Sequence, residues 1–155
     1  MLKSLQEIFS RNDVTEPLNQ KEDVKLAAAT LMIELIRADG RIDQLEVQNM
    51  RALLRNQFEL SDLDFNALFE LAKKNAEDAT SLYDFTREIC DSWGNEKRVK
   101  LLENLWLLAL SDNVIDPHEH HLVRKVAGLL YLNESQIINS RENAKQKLKE
   151  STKHQ

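Results

Sequence analysis

Two stretches decide the fold: "LMIELIRADGRIDQLE", residues 31–46, and "LWLLALSDNVIDPHE", residues 105–119. In each, an apolar run leads to an Asp, a chain-reversing Gly or Asn, an Ile, a second Asp and then a Glu. The apolar residues recur at helical spacing, and an Asp followed three residues later by Glu is typical of a capped helix start. Each stretch therefore predicts a tight corner between two helices.

The similarity extends beyond the corners, because residues 31–60 match residues 104–132 with a one-residue slip near the end. A duplication of this length indicates two similar helical units that pack around a pseudo-twofold axis and share one core. The equivalent pairs are Asp39 and Asp112, Ile42 and Ile115, Asp43 and Asp116, Glu46 and Glu119, and Arg51 and Arg124.

The composition favours one all-α domain. The chain has 155 residues, 42% of them hydrophobic, but only 3 Gly and 2 Pro, too few for the many turns of a β protein. The periodicity predicts about eight helices, the last opened by a capping box at Asn133 and Gln136. We expect a short helix and linker at residues 1–19, a helical domain at 20–140 with repeats at about 20–75 and 80–140, and a basic helix end and tail at 141–155.

Charge and cysteine content exclude several classes of protein. The net charge of -5 argues against a nucleic-acid binder, because phosphate contacts need a basic face. Cys90 is the single cysteine, so neither an intrachain disulfide nor a cysteine metal site is expected, and we interpret it as a small core residue. The first residues are too short and too charged a segment for a signal peptide or membrane span, which favours a cytoplasmic location.

The acids of the repeated corner have a structural interpretation. Asp43 and Asp116 suit the N-cap position, and Glu46 and Glu119 suit the third helical position of a capping box. Pro117 suits the first helical position. Gly40 and Asn113 suit the left-handed residue that ends the preceding helix, and Ile42 and Ile115 can staple the turn to the core.

The first acid of each corner leaves a second interpretation open. Asp39 and Asp112 continue an apolar stripe at a helix C-terminus, where the macrodipole disfavours a negative charge by ~0.3–1 kcal/mol. Such an acid needs backbone N–H groups, an arginine such as Arg41 or Arg51, or a hard cation shared with the neighbouring acids. The spacing does not match an EF-hand loop. The candidate metal ligands are Asp39, Asp43, Glu46, Asp112, Asp116 and Glu119.

Other motifs give weaker evidence for a metal or catalytic site. His118 and His121 share a helix face and could hold zinc or nickel with a nearby acid, but the first repeat has no histidine there. Glu34 and Glu103 lie mid-helix without corresponding in the repeat. No Glu-x-x-His pair, nucleophile motif or Gly-rich phosphate loop is present, so a metal-dependent hydrolase is the least favoured function.

The two quoted stretches resemble the tellurite-resistance protein TerB family and its TerB-like domains, over residues of about 22 to 140. The resemblance implies an all-helical domain of two similar halves in a bacterium, with a role in stress responses through partner proteins. It also implies that the six acids form a cluster able to bind a metal. Asn113 stands where the family motif usually has Gly, which relaxes the second turn.

Together these features favour a non-enzymatic interaction module that binds a divalent cation, Ca²⁺ or Mg²⁺ rather than Zn²⁺. The alternative is a scaffold whose acids only cap helices. A protein partner would then be recruited by the N-terminal helix, with apolar Leu2, Leu5, Ile8 and Phe9, or by the basic end; peripheral membrane association also stays open.

Overall fold

The computed structural model describes residues 16–38, 40, 42–111 and 116–153, with side chains between residues 22 and 151 of these ranges. The described ranges contain seven helices and no strand, which confirms the all-α fold. The short helix predicted around Leu2 to Phe9 lies outside them. The helices are α1 (Glu16–Ile36), α2 (Gln44–Phe58), α3 (Asp62–Asp78), α4 (Tyr83–Ser92), α5 (Asn95–Leu110), α6 (Pro117–Leu129) and α7 (Glu134–Lys153).

Helices α1 and α5 form the centre of the molecule. Nearly every residue from Val24 to Ile36 and from Leu101 to Leu110 is buried, as expected for helices that are apolar on all sides. Helices α3 and α4 cover α1, α7 covers α5, and α1 and α5 contact each other. Trp93 and Trp106 are both buried in this core.

The helices divide into two equivalent sets, α1–α3 and α5–α7, with α4 as the connection. In both sets the third helix packs on the first. In both, the turn after the second helix contains a non-glycine residue in the left-handed region, Glu59 with φ 54° and Tyr131 with φ 58°. Because L-residues rarely adopt this conformation, its recurrence at equivalent positions supports the duplication seen in the sequence.

The third helix of each set also begins alike. Ser61 accepts a hydrogen bond from the Asp64 N–H at 3.1 Å, and Asn133 accepts one from the Gln136 N–H at 2.8 Å. The Asn133 N–H in turn donates to Gln136 Oε1 at 3.0 Å, so the predicted capping box is confirmed. Three backbone N–H groups at these helix starts are therefore satisfied locally.

Three details differ from expectation. Helix α1 begins at Glu16, earlier than the predicted start near Gln20, because Pro17 is tolerated in a first helical turn. Helix α7 continues to Lys153 instead of fraying, and Lys147 forms an ion pair with Glu103 of α5. Ile42 is less covered than expected, with 37% of its surface exposed, because this corner lies at the surface.

No helix in the described part of the chain combines the length and apolar character needed to cross a membrane.

Candidate functional site

The first acidic corner joins α1 to α2. Gly40 has φ +101°, and its N–H donates to the Arg37 carbonyl at 2.9 Å, which confirms the predicted left-handed residue. Asp43 has an extended backbone and is the N-cap of α2, where its Oδ1 accepts from the Leu45 N–H at 2.8 Å. Glu46 is half-buried in the first turn, where the helix dipole favours a negative charge.

The second acidic corner leads into α6 and is built in the same way. Asp116 is the N-cap, with Pro117 directly after it, and its Oδ1 accepts from the N–H groups of His118 at 2.7 Å and Glu119 at 3.4 Å. Asp116 is half-buried, and Glu119 is only 7% exposed on the face that carries Val123. The cap residue and the first-turn acid of α6 are therefore more enclosed than those of α2.

The structure locates only some of the residues that were predicted to bind a cation. Asp39 and Asp112 lie outside the described residues, as do Arg41 and Ile115. Among the residues that are described, no three His, Cys, Asp or Glu side chains are grouped so as to hold a metal ion. Four of the six candidate ligands are thus located, two at each corner, and the cation site stays a prediction.

The cap bonds leave part of each aspartate unused. Both caps employ Oδ1, and within the described chain no hydrogen bond reaches Oδ2 of Asp43 or Asp116. A carboxylate oxygen is the ligand that hard cations prefer. Helix capping and cation binding can therefore use different oxygens of the same side chain.

The equivalent arginines of the two repeats, Arg51 and Arg124, make equivalent contacts between helices. Arg51 lies 3.5 Å from Asp62 Oδ1 and stacks 4.6 Å from the Phe65 ring. Its equivalent Arg124 forms a bidentate pair with Glu134, at 2.8 and 2.9 Å. In each half an arginine thus joins the second helix to the first residue of the third helix.

The histidines divide by environment. His118 and His121 are exposed, whereas the His120 ring lies 5.4 Å from the Trp106 ring. Burial lowers the pKa of His120, and the positive charges of Arg141 and Arg124 and the nearby His121 lower it further. The zinc or nickel interpretation therefore gains no support from this geometry.

The mid-helix acids do not form a catalytic pair. Glu103 is buried and forms ion pairs with Lys147 and, at 3.8 Å, with Lys100. Glu34 is half-buried, and burial raises its pKa while Arg37 opposes the rise. The ion pairs of Glu103 give that side chain a structural role.

Sequence reasoning missed a cleft of about 400 Å³ between α1, the end of α2 and the start of α5. We call it the aromatic–lysine cleft, because two aromatic rings and three lysines line it. Its lining comes from three segments that are distant in the sequence, so no local sequence pattern could predict the cleft. The main residues are Val24, Lys25, Phe58, Trp93, Lys97 and Lys100.

The comparisons with known proteins identify one family. The family model described as "Tellurite resistance protein TerB" matches residues 25–142, which extend from α1 into α7. The comparisons with curated proteins and with solved structures gave no match. The family match covers both acidic corners and most of the chain, in agreement with the resemblance of the quoted motifs. The chain therefore belongs to the TerB family.

Proposed function

We propose that this protein is a non-enzymatic TerB-type interaction module that acts in the bacterial cytoplasm during stress and binds a divalent cation at its acidic corners. One observation carries the cation part. Asp43 and Asp116 occupy equivalent N-cap positions. In each, one carboxylate oxygen caps the helix, and the second carboxylate oxygen makes no hydrogen bond within the described chain.

The chemistry of the donors favours Ca²⁺ or Mg²⁺. All six candidate ligands are carboxylates, and hard cations bind oxygen ligands, whereas structural Zn²⁺ prefers Cys and His. Glu46 and Glu119 stand one turn from the caps, in the first turn of their helices. Asp39 and Asp112, which precede the caps by four residues, would complete each set.

A specific observation also favours the alternative, a scaffold that needs no cation. The cap hydrogen bonds by themselves account for Asp43 and Asp116 at helix starts, and such caps contribute about 1 kcal/mol each. In that case function rests on partner recruitment by the chain preceding α1 or by the basic face of α7.

Titration calorimetry with Ca²⁺, Mg²⁺ and Zn²⁺, and melting with and without chelator, test the cation. Cation at about a hundred times its dissociation constant adds about 2.7 kcal/mol, which raises Tm by roughly 5–11 °C for a domain of this size. Asp43→Asn and Asp116→Asn keep a capping oxygen and remove a charge, so we expect them to fold and to lose most of the shift.

Asp64→Asn is the matched control, because Asp64 is an exposed acid in the first turn of α3, away from both corners. It should keep the full cation shift. Absence of heat and of a melting shift with all three cations would overturn the cation part and leave the scaffold.

Partner recruitment is tested by pull-down from bacterial lysate. Deleting residues 1–15 leaves all seven described helices intact, whereas deleting 141–155 would remove the fully buried Ala144. The basic end is therefore better tested by Lys149→Glu, at an exposed position of α7. Unchanged recovery of partners by both variants would argue against these segments.

A metal-supplemented phosphatase and esterase screen that finds turnover would contradict the non-enzymatic assignment.

A further inference from the structure

The aromatic–lysine cleft has walls suited to a flat ring. The Phe58 and Trp93 rings lie 5.9 Å apart with their planes at 37°, and Val24 adds an apolar surface. Offset or tilted aromatic surfaces stack on flat rings of many kinds. At about 400 Å³ the cleft falls within the usual range for small-molecule sites.

Its polar groups are mostly cationic. Lys25, Lys97 and Lys100 line the cleft, and Glu59 is the acid among its lining residues. Lys25 is held by Glu22 at 3.4 Å and lies over the Phe58 ring at 5.7 Å. Lys97 is exposed and has no ion pair within the described part of the chain.

Lys100 is crowded by another cation. Lys100 and Lys147 share the single carboxylate of Glu103, and Lys100 is the more distant partner at 3.8 Å. The contact with Lys147, together with burial, lowers the pKa of Lys100. An anion in the cleft would relieve this repulsion. In addition, the N-cap of α5 is Gly94, which has no side chain to satisfy the first-turn N–H groups near Trp93 and Lys97.

The second half of the molecule carries an arginine at the position equivalent to Lys25. Arg98 is the repeat equivalent of Lys25, and its Nη1 donates to the carbonyl of Leu130 at 2.6 Å, where Leu130 is equivalent to Phe58. In the first half the shorter lysine leaves the cleft open. The opening is therefore a local departure from the shared design.

We propose that the aromatic–lysine cleft binds a nucleoside phosphate, with the base against Phe58 and Trp93 and the phosphate between Lys97 and Lys100. Aromatic stacking is tolerant of base identity, and lysine ammonium groups bind phosphate through charge-assisted hydrogen bonds. A long nucleic acid is disfavoured because the chain as a whole carries a net charge of -5. The occupant is therefore a small ligand.

The test uses AMP, GMP and UMP, each added to the full chain in excess chelator so that the acidic corners take no part. Trp93 reports the binding by fluorescence in a Trp106→Phe background, since the chain has 2 Trp. Trp106 Nε1 has no hydrogen-bond partner among the described residues, so this change removes no hydrogen bond. Calorimetry on the unaltered chain provides a second measurement that does not depend on the variant.

We expect saturable binding of at least one nucleotide, and much weaker binding of adenosine and of inorganic phosphate. Lys97→Gln and Lys100→Gln should each weaken binding about tenfold, and Glu59→Gln should strengthen it. Lys25→Arg should weaken binding, because an arginine there can reach the Phe58 carbonyl as Arg98 reaches that of Leu130 and so occupy part of the cleft. Lys74→Gln, which removes an exposed lysine of α3, should change nothing.

The proposal is overturned if none of the three nucleotides gives heat or a saturable fluorescence change. It is equally overturned if phosphate binds as tightly as the nucleotides, or if Lys97→Gln and Lys100→Gln both leave affinity unchanged. None of these results bears on the cation at the acidic corners.

Discussion

Replacing the capping aspartates by alanine and by asparagine separates the two roles of each acidic corner. Asp116→Ala removes the acceptor of two N–H groups, those of His118 and Glu119, at a half-buried site. Asp43→Ala removes the acceptor of one N–H, that of Leu45, at an exposed site. Because N-cap losses range over ~0.5–2 kcal/mol, we expect about 1–2 kcal/mol for Asp116→Ala and about 0.5–1 kcal/mol for Asp43→Ala.

Asparagine should recover much of this loss. Its side-chain oxygen can accept the same hydrogen bonds, and Asn and Asp rank equally as N-caps. The negative charge near the helix N-terminus is lost, which is worth ~0.3–1 kcal/mol at low salt and less when screened. At moderate salt the order of stability should therefore be aspartate, then asparagine, then alanine, with the larger step between asparagine and alanine.

Urea unfolding followed by circular dichroism, in excess chelator, measures these differences. A loss of 1 kcal/mol corresponds to about 2–4 °C in Tm for a domain of this size. Asp64→Ala is the control, because Asp64 lies in a first helical turn without being a cap residue, and we expect a change within about 0.5 kcal/mol. If asparagine destabilises as much as alanine, the carboxylate charge, and not the cap oxygen, is what the corner requires.

Three further results are expected. His120 has a lowered pKa in the folded protein, so the unfolded chain takes up its proton first as pH falls; stability should decrease below about pH 6.5, and His120→Gln should reduce that slope in melting curves. Glu59→Gly should raise the free energy of unfolding in urea by about 0.5–1 kcal/mol, because relief of the left-handed strain exceeds the added entropy of the unfolded chain, whereas Glu59→Ala should give no gain. Trp106→Ala should cost about 3–5 kcal/mol, since the side chain is 1% exposed, and Trp106→Phe clearly less.

The sequence predicted what depends on neighbours in the chain. The caps at Asp43 and Asp116, the left-handed Gly40 and the reciprocal bonds of Asn133 and Gln136 all involve residues within a few positions of each other. Local hydrogen bonds of this kind restrict the backbone wherever the motif occurs. The corners and the helix order therefore followed from pattern reasoning.

Features that join distant segments could not be predicted in this way. Helical periodicity placed Glu103 in the middle of a helix, but it could not predict the ion pair with Lys147, which lies on another helix. The exposure of Ile42 likewise depends on how deeply the first corner sits in the whole molecule. One weak signal was present for the arginines: each aligned arginine precedes a helix whose first residue is acidic, Asp62 or Glu134.

The two halves differ at the position of Lys25 and Arg98, and the difference bears on stability. In the second half, Arg98 donates a hydrogen bond to the carbonyl of Leu130. In the first half the equivalent residue is Lys25, and no such hydrogen bond occurs among the described contacts. Lys25 instead lines the cleft together with other cationic side chains. The closed arrangement gains a side-chain hydrogen bond that the open one lacks, so the open arrangement is not the one that packing alone would favour. Glu59 also lowers the stability of this half, because a non-glycine residue in the left-handed region is strained. Its negative charge lies at the rim of the cleft. The positive charge of the three lysines in this cleft is offset only by Glu59 among the lining residues, so it is in this half that an anionic ligand is expected to add stability.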